Sequence, residues 1–118
     1  MRAVIQRVKK ASVTVDNELV SEISEGFLVL LGVSKIDKDE DTNYIVDKIL
    51  NLRIFTDSND KFNLSLQEIN GEILIVSQFT LYGDARKGRR PSFDIAANGD
   101  TASPIYEDFL KKIINKMK

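Results

Sequence analysis

The chain has 118 residues, 42% of them hydrophobic and 30% charged, with a formal net charge of −1. That length suits one domain, residues 1–118, with a modest core. Cysteine and histidine are both absent, which excludes disulfides, thiolate nucleophiles and cysteine–zinc sites, and leaves no Ser-His or Cys-His dyad within the chain. Any catalysis must rest on hydroxyls, carboxylates, lysines, backbone amides or groups of the substrate itself.

The opening Met1-Arg2-Ala3-Val4-Ile5-Gln6-Arg7 is not a signal peptide, because polar residues break its apolar stretch at once. The longest apolar run, Phe27 to Leu31, is far too short to span a bilayer. A cytoplasmic location and no membrane partner are the expectation. No global basic field draws in nucleic acid, and no DNA partner is expected. Charge is nonetheless uneven: Asp37, Asp39, Glu40 and Asp41 form an acidic stretch, and Arg86, Lys87, Arg89 and Arg90 a basic one. A local basic patch can bind phosphates whatever the total charge.

In chain order, Arg2 to Val8 reads as a first strand. Ala11 to Val15 alternates with period two, as a half-buried strand does, and Asp16-Asn17 is a turn signal. Glu18 to Ile23 returns as the next strand. Phe27 to Val33 is continuously apolar apart from Gly32, the pattern of a strand covered on both faces. The opening third is thus expected to be a β meander. Asp37 to Leu52 changes to helical spacing through Ile45, Ile49 and Leu52, joined by Val46 and Leu50, with acidic residues at the end where the helix dipole favours them. Arg53 to Asp57 reads as a short strand, and Phe62, Leu64 and Leu66 as an edge or extended arm. Asn70-Gly71 is a strong hairpin signal before the strand Glu72 to Ser77. Gly83 to Gly99 is irregular and reads as a functional loop. A last helix is expected to start near Ser103-Pro104, where proline suits the first turn, with Ile105, Phe109, Ile113 and Met117 on one face. The class is α+β: a β-barrel-like, mostly antiparallel sheet with two helices packed outside, incomplete at the C-terminus.

Two segments carry candidate chemistry. An apolar strand runs into Ser77-Gln78-Phe79-Thr80, which places two hydroxyls, an amide and an aromatic at a strand end, where sites often form. The alternative is that Ser77 and Thr80 satisfy local backbone groups while Phe79 packs inward. Arg86-Lys87-Gly88-Arg89-Arg90-Pro91-Ser92-Phe93 gathers cations suited to phosphate oxygens beside an aromatic suited to an unstacked base; the alternative is a solvated loop. Arg7 lies in an apolar strand and is either an edge residue or a cleft residue. The acidic stretch lacks the glycine and distal glutamate of an EF-hand and reads as a helix start, so no metal site is expected.

Taken together these segments resemble the D-aminoacyl-tRNA deacylase family, also called D-tyrosyl-tRNA deacylases. The resemblance runs from Ala3-Val4-Ile5-Gln6-Arg7-Val8 and Ala11-Ser12-Val13 through Gly26 to Val33, Leu52-Arg53-Ile54-Phe55 and Asn63-Leu64-Ser65. Its most specific pieces are Val76-Ser77-Gln78-Phe79-Thr80-Leu81 and Arg90-Pro91-Ser92-Phe93. It implies hydrolysis of the ester of D-aminoacyl-tRNA, and in a wider reading of mischarged glycyl-tRNA, as a proofreading step without a cofactor. The partner it implies is the aminoacylated 3' end of tRNA. It also implies a homodimer of β-barrel-like subunits, with Ser77, Gln78, Phe79 and Thr80 lining a pocket at the subunit interface.

Within the family Thr80 has been considered as a nucleophile, and backbone amides with the tRNA 2'-hydroxyl as the alternative. With no histidine to serve as base, oxyanion stabilisation near Phe79 and Thr80 is favoured, with Thr80 orienting. Arg86, Lys87, Arg89, Arg90 and Phe93 would meet the tRNA. The family also carries a cis Gly-Pro dipeptide on strands after the last helix, held with the help of Arg7. Here Pro91 follows Arg90 and Pro104 follows Ser103, so the chain is expected to lack that segment, either as a fragment or as a shortened protein. A non-catalytic tRNA-binding module on the same scaffold is the alternative function.

Overall fold

A computed structural model describes residues 1–117. Its strands are β1 (Arg2–Val8), β2 (Ala11–Val15), β3 (Glu18–Ile23), β4 (Gly26–Gly32), β5 (Phe55–Thr56), β6 (Phe62–Leu64) and β7 (Glu72–Ser77). The helices are α1 (Asp39–Asn51) and α2 (Gly99–Lys116), and a 3₁₀ turn covers Phe79–Tyr82. The class is α+β, as expected. The strands form a three-stranded sheet ordered β1-β4-β7 and two ribbons, β2-β3 and β5-β6, and they do not close into a barrel.

The run at Phe27 to Leu31 supplies the central strand. β4 pairs antiparallel with β1, setting Arg2 opposite Gly32 and Arg7 opposite Phe27. On its other side it pairs parallel with β7, setting Leu31 opposite Ser77. With neighbours on both edges, the strand buries Phe27, Val29 and Leu31 fully on one face, while Leu28 and Leu30 on the other are half-buried, so the two-sided cover suggested by the apolar run is partial. The approach of β7 is close: a Cβ on Gly26 would lie 1.8 Å from the Glu72 carbonyl oxygen.

The expected meander does not form. β1 skips β2 and pairs with β4, while β2 and β3 make a separate hairpin. Two adjacent lysines, Lys9-Lys10, join β1 to β2 and have no two-residue turn chemistry. The tight turn falls instead at Asp16 and Asn17, both with positive φ (50° and 65°), as a type I′ turn demands. The Asn70-Gly71 hairpin is also overturned. Asn70 has positive φ (53°), but Gly71 N donates back to Leu66 O at 2.9 Å, while β6 pairs with β5 and not with β7. The turn closes a loop around the fully buried Leu66; burying that side chain outweighs the local hairpin preference.

α1 follows its acidic first turn and buries Thr42, Val46, Ile49 and Leu50. α2 starts earlier than the proline suggested. Asn98 caps it by accepting the Thr101 amide at 2.9 Å, and Pro104 lies inside the helix; an asparagine cap fixes the start more firmly than proline position does. Its expected face holds: Phe109 and Ile113 are buried, flanked by half-buried Ile105 and Met117. The core is a single cluster in which Phe27 stacks on Phe55 with centroids 4.9 Å apart, closed by Leu66, Phe109 and the α1 face. Tyr106 ties α2 to the central sheet by donating its hydroxyl to Ile75 O at 3.1 Å, and burial pushes its phenol pKa up.

Candidate active site

β7 ends at Ser77, and the Gln78 amide makes a last ladder-like bond to Leu31 O at 2.7 Å. The chain then tightens into the 3₁₀ turn. Leu81 N returns to Gln78 O at 3.4 Å and Gly83 N to Thr80 O at 3.0 Å. The leading N–H groups of such a turn, those of Phe79 and Thr80, have no partner within it. Ser77, Phe79 and Thr80 are exposed and Gln78 is half-buried. The four residues therefore lie on an open surface and not in packed core. The Gln78 side-chain amide donates to the Thr80 hydroxyl oxygen, which orients that hydroxyl and supplies no base.

The turn is seated on β4. A Cβ on Gly32 would meet Gln78 O, the Leu81 Cβ and a Tyr82 ring carbon, each at 3.2 Å, so the missing side chain is what lets the turn lie flat against the strand. Tyr82 is buried beneath the turn, and burial, with the Asp37 charge second, raises its phenol pKa.

The loop after the turn folds back on itself. Asp84 and Ser92 exchange both backbone bonds, Asp84 N to Ser92 O at 2.8 Å and Ser92 N to Asp84 O at 2.7 Å. This clasp brings Phe93 edge-on to Phe79, with centroids 5.2 Å apart and an interplanar angle of 67°, a favoured aromatic geometry. The basic residues project from the closed loop, but they are not equivalent. Arg86 grips Asp84: Nε donates to Oδ1 at 3.0 Å and Nη2 to Oδ2 at 2.7 Å. Those side-chain bonds, with the Arg86 amide next, hold the Asp84 carboxyl down at about 2. A lowered carboxyl keeps its pair above its unfolded pKa and loses it only as pH falls through the folded one, so the Asp84–Arg86 pair is intact throughout the neutral range. Lys87, Arg89 and Arg90 are exposed. An open cavity of about 670 Å³ is lined by Asp84, Arg86, Lys87, Ser92 and Asp94.

Of the residues singled out in the sequence, Ser77, Gln78, Phe79, Thr80 and Phe93 thus come together, with the basic loop adjoining them. Arg7 does not join them within this chain. It sits five residues along β1 from Arg2, roughly 16 Å at the usual strand rise, at the end of the sheet away from Ser77. There its guanidinium donates to Ile54 O at 2.9 Å and lies 5.4 Å from the Phe62 ring centroid. Sequence reasoning passed over Arg2, Gly32, Tyr82 and Asp84. Gly32 interrupts an apolar run and was the one readable signal; the contacts of Arg2 span 79 positions and leave no local trace.

A family model described as D-Tyr-tRNA(Tyr) deacylase matches residues 4–118. The chain belongs to this family. The D-aminoacyl-tRNA deacylase of Clostridioides difficile (strain 630) is 60% identical over 116 residues, which cover 98% of this chain and 78% of that protein. That of Thermosipho africanus (strain TCF52B) is 60% identical over 115 residues, covering 98% and 77%. Among solved structures, a c-Myc DNA unwinding element binding protein superposes with a TM-score of 0.94 at 42% identity, covering all of this chain and 79% of that one. A probable eukaryotic D-amino acid tRNA deacylase superposes with a TM-score of 0.77 at 25% identity, covering 94% and 65%. In this deacylase-family chain the strand-end turn and its clasped basic loop are the only surface that gathers the motif residues Ser77 to Thr80 and Phe93, among the described residues.

Proposed function

We propose that this chain hydrolyses the ester linking a D-amino acid to the 3' end of tRNA, at the Ser77–Thr80 turn. Family membership across residues 4–118 supports the reaction, and the observation that carries the site is the exposed turn whose leading amides have no partner within it. The ester is already activated, so holding a water near its carbonyl and stabilising the oxyanion that forms suffice for large acceleration. In this reading the Phe79 and Thr80 amides receive the oxyanion. The Thr80 hydroxyl, held by Gln78, orients the substrate, and the tRNA 2'-hydroxyl assists. Lys87, Arg89 and Arg90 meet acceptor-end phosphates, and Arg86 acts mainly as the strut that shapes their loop. A cytoplasmic homodimer with Arg7 serving the neighbouring subunit's site accords with this scheme.

The experiment is cleavage of D-Tyr-tRNA and L-Tyr-tRNA by the intact protein. Loss of the D-ester at the buffer rate removes the proposal and leaves the tRNA-binding reading. Thr80→Ala discriminates within it. Amide-based catalysis predicts a fall in kcat of no more than about tenfold, whereas removal of an attacking hydroxyl costs several orders of magnitude.

Charge in the loop gives a second expectation. Neutralising Arg89 and Arg90 together should weaken tRNA binding and reduce the slope of log affinity against log salt by about 1.4, since each phosphate contact to single-stranded nucleic acid contributes about 0.7. Arg86→Gln should leave that slope nearly unchanged, because its partner is Asp84. Titrations at several salt concentrations distinguish the two, and equal slopes for all variants would place the loop away from the phosphates.

A further inference from the structure

We infer that Arg2 is a positioning residue for the catalytic turn, an inference that rests on the functional reading above. Strand pairing puts Arg2 at the right end of the sheet: it lies opposite Gly32, and Leu31 beside it lies opposite Ser77. From there its guanidinium Nη1 donates to the Leu81 carbonyl at 2.9 Å. The same group lies over the Tyr82 ring, 4.6 Å from its centroid. One side chain thus engages two consecutive residues at the C-terminal end of the Phe79–Tyr82 turn.

That end needs such an anchor. A 3₁₀ turn this short has poor internal hydrogen-bond geometry, and its last carbonyls lack partners within it. Gly32 provides the floor and Phe93 a wall against Phe79, but neither fixes the turn along the strand direction. Arg2 does, because a planar guanidinium can donate in its own plane while its face lies on an aromatic ring. Lysine offers a point charge and cannot satisfy both contacts in that geometry. A shift of the Leu81 carbonyl by a fraction of an ångström carries the Phe79 and Thr80 amides with it, since only one or two peptide units separate them. Oxyanion stabilisation depends on donors already being in place.

Arg2 is exposed, so the rival reading is that it binds a tRNA phosphate directly, and the two separate in kinetics. Single-turnover cleavage of D-Tyr-tRNA at saturating enzyme isolates the chemical step from binding. Arg2→Ala in the intact protein is expected to lower that rate about ten- to a hundredfold, with KM and the salt slope within about twofold of wild type. Arg2→Lys should recover part of the rate. In parallel, amide hydrogen exchange at Gly83, whose N–H bonds to Thr80 O, should accelerate about tenfold or more in Arg2→Ala while β4 amides keep their protection. A raised KM with a shallower salt slope and an intact chemical step would overturn the inference in favour of phosphate binding. Unchanged exchange at Gly83, or faster exchange with an unchanged rate, would overturn it outright. Inactivity of the wild-type protein is a different failure: it sinks the functional reading before any variant is made.

Discussion

Gly26→Ala is expected to destabilise the protein by about 3 kcal/mol or more, lowering its melting temperature by about 12 °C or more. The Cβ it adds would lie 1.8 Å from the Glu72 carbonyl oxygen, with the Glu72 carbonyl carbon and amide nitrogen both at 2.7 Å. All three are backbone atoms of the neighbouring strand, so no side chain can rotate away to make room. Relief requires β7 to move off β4, which costs the bond from Glu72 N to Glu25 O and opens the core beside fully buried Phe27. Thermal melting followed by circular dichroism is the check. A change of only a degree or two would mean that β4 and β7 do not approach as described.

The same substitution at the other end of the strand should act differently. In Gly32→Ala the added Cβ meets Gln78 O, the Leu81 Cβ and a Tyr82 ring carbon at 3.2 Å, a misfit of a few tenths of an ångström. Its neighbours belong to the turn and not to a paired strand, so the turn is what yields. The stability cost should stay within about 1 kcal/mol, because alanine loses less backbone entropy on folding than glycine does. The chemical step should slow about ten- to a hundredfold, as misplaced oxyanion donors require. Melting and single-turnover kinetics measured on both variants give the contrast: one loses its fold, the other its rate. If Gly32→Ala melts as early as Gly26→Ala, the turn is part of the core; if its rate is unchanged, the turn is not where the ester is cleaved.

What the sequence reveals depends on how local the cause is. The central strand was legible because a strand paired on both edges, with one face in the core and the other half-covered, keeps a continuous apolar run at Phe27 to Leu31. α1 was legible because its acidic start and the apolar spacing of Val46, Ile49 and Leu50 act within a few turns, although Leu52, expected inside it, falls just past its end. The pairing of β1 with β4 was not, because hydrogen-bond partners carry no residue code and Lys9-Lys10 looks like any short connection. Asn70-Gly71 misled for the same reason: it encodes a turn, and what the turn joins is settled by where Leu66 finds its burial.

In the site, the hydroxyl and amide chemistry of Ser77 to Thr80 and the ring of Phe93 were visible as residue types. The parts that set geometry were hidden. Gly32 acts by what it lacks. The Asp84–Arg86 pairing leaves no mark in residue types, and the bond from Arg2 to Leu81 joins positions 79 apart.

That last span bears on how the site comes into being during synthesis. Its seat is made on the ribosome early, in the strand ending at Gly32, and its anchor earlier still, at the second residue. Its working face arrives much later, and its brace at Phe93 later again. A nascent chain that ends before Ser77 therefore has both supports and nothing mounted on them. Since the entropy of closing a long loop rises only slowly with its length, the wait adds little to the thermodynamic burden, but it makes hydrolytic competence a property that no early portion of the polypeptide can hold alone.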